Sequence, residues 1–146
     1  MILDLTSREV PSPDEQPGVF ADVVETVKTD KKNRHFKMLV LVGEFAATKS
    51  NGRRFTATAS FNLDDTRGIN RLKETLKAWR GSDALPDLSK FDPETEFLGK
   101  AFLAEPAVED KGGKREIRLA RLKRSTDQTL TVSPDFVRVG AAPKQP

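Results

Sequence analysis

RRFTATASFNLDDTRGINRLKETLKAWR, residues 53–80, contains two hydrophobic periods in succession. In its first part apolar and polar side chains alternate, with Phe55 and Phe61 on one side and Thr56 and Ser60 on the other. Such alternation is typical of a half-buried strand. In its second part the apolar side chains recur at helical spacing, at Ile69, Leu72, Leu76 and Trp79. We therefore predict a strand followed directly by an amphipathic helix.

The ends of this helix carry recognisable capping residues. Asp64, Asp65 and Thr66 precede it and are the residue types that accept hydrogen bonds from the first helical N–H groups. Gly81 follows it and suits the left-handed cap at a helix C-terminus. The helix is predicted to run from about Arg67 to Arg80, with Trp79 in the core rather than on a binding surface.

Two further strands are predicted before this unit and two after it. Asn51-Gly52 and Gly112-Gly113 mark tight turns, which make the flanking strands hairpin partners. The first predicted strand begins at Val19 and the second at Arg34. The third covers residues 54–61, and the last two are Leu98–Val108 and Lys114–Lys123. The chain is thus expected to be mainly β, with one helix between the third and fourth strands. This is the order of the five-stranded OB-fold barrel, whose sheet face and loops bind oligonucleotides or oligosaccharides.

The expected organisation is one domain with two extensions. Residues 1–16 are predicted to be an N-terminal arm, residues 17–124 the OB-fold domain, and residues 125–146 a C-terminal extension that is largely flexible. The arm is rich in proline and acidic residues, and the end of the chain contains two prolines and small residues, which favour irregular structure.

Charge is unevenly distributed along the chain, although the net charge is only +3. Residues 26–80 carry thirteen basic and five acidic side chains, and residues 111–146 carry nine and three. Residues 1–25 and 81–110 have net charges of −5 and −6. If the second, third and fifth strands lie side by side, the two basic blocks merge into one positive surface that suits a phosphate backbone. The alternative is ordinary solvated surface charge.

The candidate nucleic-acid-binding residues are the cations on those strands and one aromatic residue beside them. We expect the cations to contact phosphates and the aromatic ring to be available for base stacking. They are Arg34, Lys37, Arg53, Arg54, Arg118, Arg121 and Phe45. The chain has no Tyr, so binding is expected to depend mainly on phosphate contacts and to be sensitive to salt.

The sequence lacks the parts of most catalytic and metal sites. It has no Cys and a single histidine, His35, so it cannot form a thiolate metal site or a nucleophilic triad based on His or Cys. Asp64 and Asp65 could bind a hard cation, but their position before a helix favours capping. We predict a protein that is not an enzyme and that needs no cofactor or metal.

Four short segments resemble the small OB-fold proteins of phages and other mobile genetic elements. They are Pro17-Gly18-Val19-Phe20, Gly52-Arg53-Arg54-Phe55, Leu76-Lys77-Ala78-Trp79-Arg80-Gly81 and Leu98-Gly99-Lys100. The resemblance covers residues 17–124. It implies single-stranded-DNA binding or an accessory role in DNA replication or recombination, with single-stranded DNA, or alternatively RNA, as the partner.

A second hypothesis is an OB-fold module that docks a replication or recombination protein and does not touch nucleic acid. The absence of a signal-peptide pattern, of a long apolar stretch and of Cys favours a cytoplasmic location over a membrane or secreted one.

Overall fold

The computed structural model describes residues 9–82 and 85–139. Within these residues the chain forms five strands and one long helix, with a short helix and a 3-10 turn before the fourth strand. The elements are β1 (Gln16–Thr29), β2 (His35–Thr48), β3 (Arg54–Asn62), α1 (Thr66–Arg80), the 3-10 turn (Leu88–Lys90), α2 (Pro93–Phe97), β4 (Ala101–Lys111) and β5 (Lys114–Arg124). The predictions of a mainly β chain and of a helix between the third and fourth strands are confirmed.

The five strands form one sheet that closes in a ring, in the order β1-β2-β3-β5-β4. Long antiparallel ladders join β1 to β2, β2 to β3, and β4 to β5. The ring is closed by Gln16–Val19 of β1 against Ala101–Ala104 of β4, and by a parallel contact between β3 and β5 at Thr58 and Arg118. The pairing with β4 explains why β1 begins at Gln16, before the apolar alternation that starts at Val19.

Aromatic side chains fill the interior of the ring. The Phe20 ring lies 4.7 Å from that of Phe102 and 5.5 Å from that of Trp79, measured between ring centroids. Phe97 packs against both Phe20 and Trp79, at 5.4 and 5.3 Å. Trp79 is buried, as predicted, so α1 and α2 contribute Trp79 and Phe97 to this core.

Two glycines make room for Phe102. A Cβ atom at Gly18 would lie 2.4 Å from the Phe102 ring, and one at Gly43 would lie 2.8 Å from it. Both distances are shorter than real Cβ contacts, so β1 and β2 can pass this ring only because these residues have no side chain.

Helix α1 begins and ends at the predicted caps. The Asp65 side chain accepts a hydrogen bond from the Arg67 N–H at 2.9 Å, and Gly81 adopts a left-handed φ of 65°. The neighbouring Asp64 carboxylate accepts from the Lys37 N–H at 2.7 Å and so links the start of the helix to β2. Both acids therefore have structural roles.

Residues 125–139, which we call the C-terminal strap, cross the outer surface of the sheet without forming a helix or strand. The Gln128 side chain both accepts from the Ala101 N–H and donates to the Ala101 C=O, at 2.8 and 3.0 Å. Further along, the Ser133 N–H donates to Glu44 at 2.8 Å, and the Val139 N–H donates to Asp22 at 2.7 Å. The rest of the predicted C-terminal extension, residues 140–146, lies outside the described residues, as do residues 1–8 of the predicted arm.

Candidate nucleic-acid interface

Strand β2 has two apolar faces, and the outer one forms the base of the candidate site. Leu39 and Leu41 point into the ring and are buried. Because successive side chains of a strand alternate, Phe36, Met38 and Val40 point outward, where they are half-buried. The second apolar face of β2 is therefore partly open to solvent.

Short polar side chains of β3 continue this surface. Val40 pairs with Ser60, and Met38 pairs with Asn62 across the antiparallel ladder. Thr58 and Ser60 are half-buried, while Phe61 on the other side of the strand is buried, as the sequence predicts. Hydroxyl and amide groups can hydrogen-bond sugars and phosphates, so apolar and hydrogen-bonding surfaces lie side by side.

This surface forms the base of a concave groove of about 730 Å³, and cations line the groove. They come from β1, from the β2–β3 turn, from α1 and from β5. The cations lining the groove are Lys28, Lys49, Arg71, Arg115 and Arg118, and the acids lining it are Glu9 and Glu116. We call this surface, with Phe36, Met38, Val40, Thr58 and Ser60 at its base, the sheet-face groove.

Two of the groove cations lie close to aromatic rings of the core. The Arg71 guanidinium lies 5.5 Å from the centroid of the Phe61 ring, and the Lys49 ammonium lies 5.9 Å from that of Phe55. Contacts of this kind hold a cation over a ring face while its outer side remains available to an anion.

Arg118 is the sequence-predicted residue that the structure places in the groove. Its side chain lies 2.8 Å from Glu109 and 3.6 Å from Glu116, and a third of it is exposed. Such partly exposed ion pairs contribute little net stability, so a phosphate can compete for the guanidinium. Arg121 lies on the same strand at the rim of an adjoining groove, 3.1 Å from Glu105.

The other four predicted cations do not line the sheet-face groove. Arg34 lies in the β1–β2 turn, bonded to Asp30 at 2.9 Å. Lys37 is exposed, on the side of β2 that carries Leu39. Arg53 lies in the β2–β3 turn, beside residues 133–137 of the strap. Arg54 donates to the Thr131 C=O at 2.7 Å and lies 3.6 Å from Glu44, so it holds the strap to the sheet.

The expectation that Phe45 is accessible for stacking is wrong. Phe45 is fully buried, and its ring packs edge-on against Phe102 at 5.7 Å. It belongs to the inner face of β2, so a base could reach it only if the core opened. Phe36, on the outer face of the same strand, lines the groove and is half-buried.

The β1–β2 turn beside the groove is held by one carboxylate. Asp30 accepts hydrogen bonds from the N–H groups of Lys32 and Arg34 and from the Arg34 side chain, each at 2.9 Å. The backbone bond from Arg34 is the main reason that the pKa of Asp30 is lowered from its usual value. The turn is thus fixed by the charged form of Asp30.

Several groove residues were missed at the level of sequence, namely Lys28, Met38, Val40, Lys49, Arg71 and Arg115. The sequence could have indicated Met38 and Val40, because β2 is apolar on both faces and only one face of a closed sheet lies inside. The sequence could not have indicated Arg71, since its place over Phe61 depends on how α1 packs against β3.

The described residues contain no cluster of three or more His, Asp or Glu side chains that could hold a metal ion. None of the helices within 9–82 and 85–139 is long and apolar enough to span a bilayer. A scan against protein-family models found no match to this chain, and a search of curated proteins found none either.

Proposed function

We propose that this chain is an OB-fold protein that binds single-stranded DNA in the sheet-face groove. The observation that carries the proposal is the juxtaposition of half-buried Phe36, Met38 and Val40 with Arg71 and Arg118 in one concave surface. Single-strand binders combine a positive groove with aromatic side chains on which bases stack.

The groove offers separate partners for the two parts of a nucleotide. In this proposal Arg71, Arg118 and Lys28 contact phosphates, whereas the Phe36 ring and the neighbouring Met38 and Val40 offer apolar area to bases. The side chains of Thr58 and Ser60 can hydrogen-bond sugar or phosphate oxygens. Since none of these groups matches a particular base edge, binding is expected to have little sequence preference.

The biological setting follows from the resemblance of residues 17–124. We propose a cytoplasmic accessory protein of DNA replication or recombination, of the kind carried by phages and mobile elements. The closed five-stranded sheet, with α1 between β3 and β4, is consistent with an OB-fold protein of that group.

A protein partner is the second candidate function. Phe36, Met38 and Val40 form a continuous apolar strip, and Arg118 already has carboxylate partners at 2.8 and 3.6 Å. An apolar segment of a replication or recombination protein would bury this strip without needing the cations.

Titration of a fluorescent single strand of about 15 nucleotides, with the matching duplex, at several salt concentrations tests the proposal. The single strand is expected to bind more tightly than the duplex, with affinity that falls steeply as salt rises. Replacement of Arg71 and Arg118 by Ala should reduce the slope of log affinity against log salt by about 1.4, because each lost phosphate contact to a single strand removes roughly 0.7.

Lys90→Ala with Lys100→Ala is the matched control, because neither residue lines the groove. This pair should leave the slope unchanged. If the wild-type protein binds no single strand even at low salt, the nucleic-acid proposal is overturned and the protein-partner candidate takes its place.

A further inference from the structure

The seam between β3 and β5 is open over most of its length. These strands pair in parallel at Thr58 and Arg118, although β3 runs on to Asn62 and β5 to Arg124. Helix α1 lies alongside this seam. Between the three elements is a second groove of about 480 Å³, which we call the helix-side groove.

The helix-side groove is continuous with the sheet-face groove. Both are lined by Thr58 and Ser60 of β3, Arg71 of α1 and Arg118 of β5. The two arginines therefore stand where the grooves meet. A chain-like ligand on the sheet face beside Arg118 therefore lies next to the helix-side groove.

The helix-side groove has the composition expected of a polyanion site with an apolar floor. Its floor includes half-buried Ala59 and Leu119. Beyond the two shared arginines it adds the cations Arg121 and Lys123, against the single acid Glu74. This charge balance favours a phosphate backbone as the occupant.

A bulge in β5 turns Arg121 toward solvent. The β4–β5 register shifts between Leu103 and Glu105, and Arg121 adopts a φ of 51°, in the left-handed region that an arginine rarely occupies. Bulges re-aim side chains, and backbone strain of this kind is concentrated at functional sites. The Arg121 side chain is 84% exposed as a result.

The carboxylates beside these cations do not prevent phosphate binding. Arg121 lies 3.1 Å from Glu105, and Lys123 lies 3.3 Å from Glu15, and in each pair the cation is exposed. Exposed ion pairs are worth little and exchange readily. A phosphate of a bound strand can therefore take the place of Glu105 on Arg121.

We propose that the helix-side groove binds a second segment of the same single strand, which turns past Arg71 after it crosses the sheet face. The inference rests on the proposed function and extends it, because it predicts that affinity depends on strand length through residues outside the sheet-face groove.

Two probes separate the grooves, namely oligothymidylates of about 6 and about 15 nucleotides. We expect Arg121→Ala with Lys123→Ala to weaken binding of the long probe about tenfold and to leave the short probe unchanged. Glu105→Gln should tighten binding of the long probe alone, since it removes the carboxylate that competes for Arg121. Lys90→Ala with Lys100→Ala is the control for general loss of positive charge.

The outcomes are distinguishable. If neither probe binds the wild-type protein, the proposed function itself fails. If both probes bind but the Arg121 and Lys123 pair weakens them equally, or weakens neither, the helix-side groove is not a binding segment. Circular dichroism of each variant, compared with the wild type, ensures that a loss is not caused by unfolding.

Discussion

At the residue scale, Phe36 and Phe45 lie on one strand and face opposite environments. Phe36 lines the sheet-face groove, whereas Phe45 is fully buried against Phe102. The sequence analysis expected Phe45 to be accessible, and this error has a physical cause. Both faces of β2 are apolar, so the identity of the residue does not tell which face closes around the core.

Opposite effects are expected when each ring is removed. Phe36→Ala should weaken single-strand binding by about 1–3 kcal/mol for a stacked base and change stability little. Phe45→Ala should lower the free energy of unfolding by about 3–5 kcal/mol, since it leaves a cavity in the core. Urea unfolding and strand titration of both variants measure the two effects. Equal loss of stability in both would contradict the assignment of faces.

Gly68 offers a second test at this scale. A Cβ atom there would lie 2.0 Å from the main-chain oxygen of Asn62. Alanine normally stabilises a helix relative to glycine by up to about 1 kcal/mol, but here the first turn of α1 would have to move off β3. We expect Gly68→Ala to destabilise the protein by about 1–3 kcal/mol, measured by urea unfolding. Asn70→Ala, at an exposed position of the same helix, should not destabilise the protein and is the control. If Gly68→Ala is stabilising, α1 is not packed against β3 as described.

At the scale of elements, the C-terminal strap explains two carboxylates that the sequence leaves without a role. Asp22 and Glu44 lie on the outer face of β1 and β2 and yet are buried. The strap covers them and supplies donors, from Arg138 and the Val139 N–H to Asp22 and from the Ser133 N–H to Glu44. Buried carboxylates need such partners, so the strap and the sheet stabilise each other.

Removal of the Asp22 carboxylate should release the end of the strap. Asp22→Ala takes away the acceptor of the Val139 N–H and the partner of Arg138 at 3.2 Å. We expect faster hydrogen exchange at the Val139 amide and a loss of about 1–3 kcal/mol in stability. Asp135→Ala, at an exposed position of the strap, is the control. Unchanged exchange at Val139 in the Asp22 variant would show that this contact does not hold the strap.

The sequence predicted the elements well because their signals are local. Alternation in β3, helical spacing in α1 and Asn51-Gly52 at a turn are each read within a few residues. The groove was predicted less well because its members come from β1, β2, β3, α1 and β5. Arg54 illustrates the difference, since its place on a basic strand suggested a phosphate contact, and its actual partner is the Thr131 C=O.

At the scale of the whole molecule, four aspartates fix turns and helix starts in their charged form. The pKa of Asp87 is lowered by the Ser89 hydroxyl, that of Asp92 by Thr95, and that of Asp127 by Thr129. The pKa of Asp30 is lowered chiefly by the Arg34 N–H. Because the folded pKa lies below the unfolded one, each contributes stability above the unfolded pKa that is lost as pH falls through the folded pKa.

Stability is therefore expected to be constant from about pH 7 to 5 and to decline below about pH 4, where these carboxylates become protonated. The midpoint of urea unfolding at a series of pH values measures this. Asp92→Asn should lower stability at pH 7 more than at pH 3. The substitution removes the stabilisation that comes from the charged carboxylate, and protonation at low pH removes the same contribution from the wild type. Stability that rises as the pH falls through this range would contradict the lowered pKa values of these aspartates.

The central claim is that single-stranded DNA binds on the outer face of β2 and β3, and amide chemical-shift mapping tests it most directly. A short oligothymidylate added to the labelled protein should shift the amides of Met38, Val40, Ser60 and Arg118. It should leave those of Leu88 and Lys90, in the 3-10 turn, in place. Shifts confined to other surfaces, or no shifts at low salt, would contradict it.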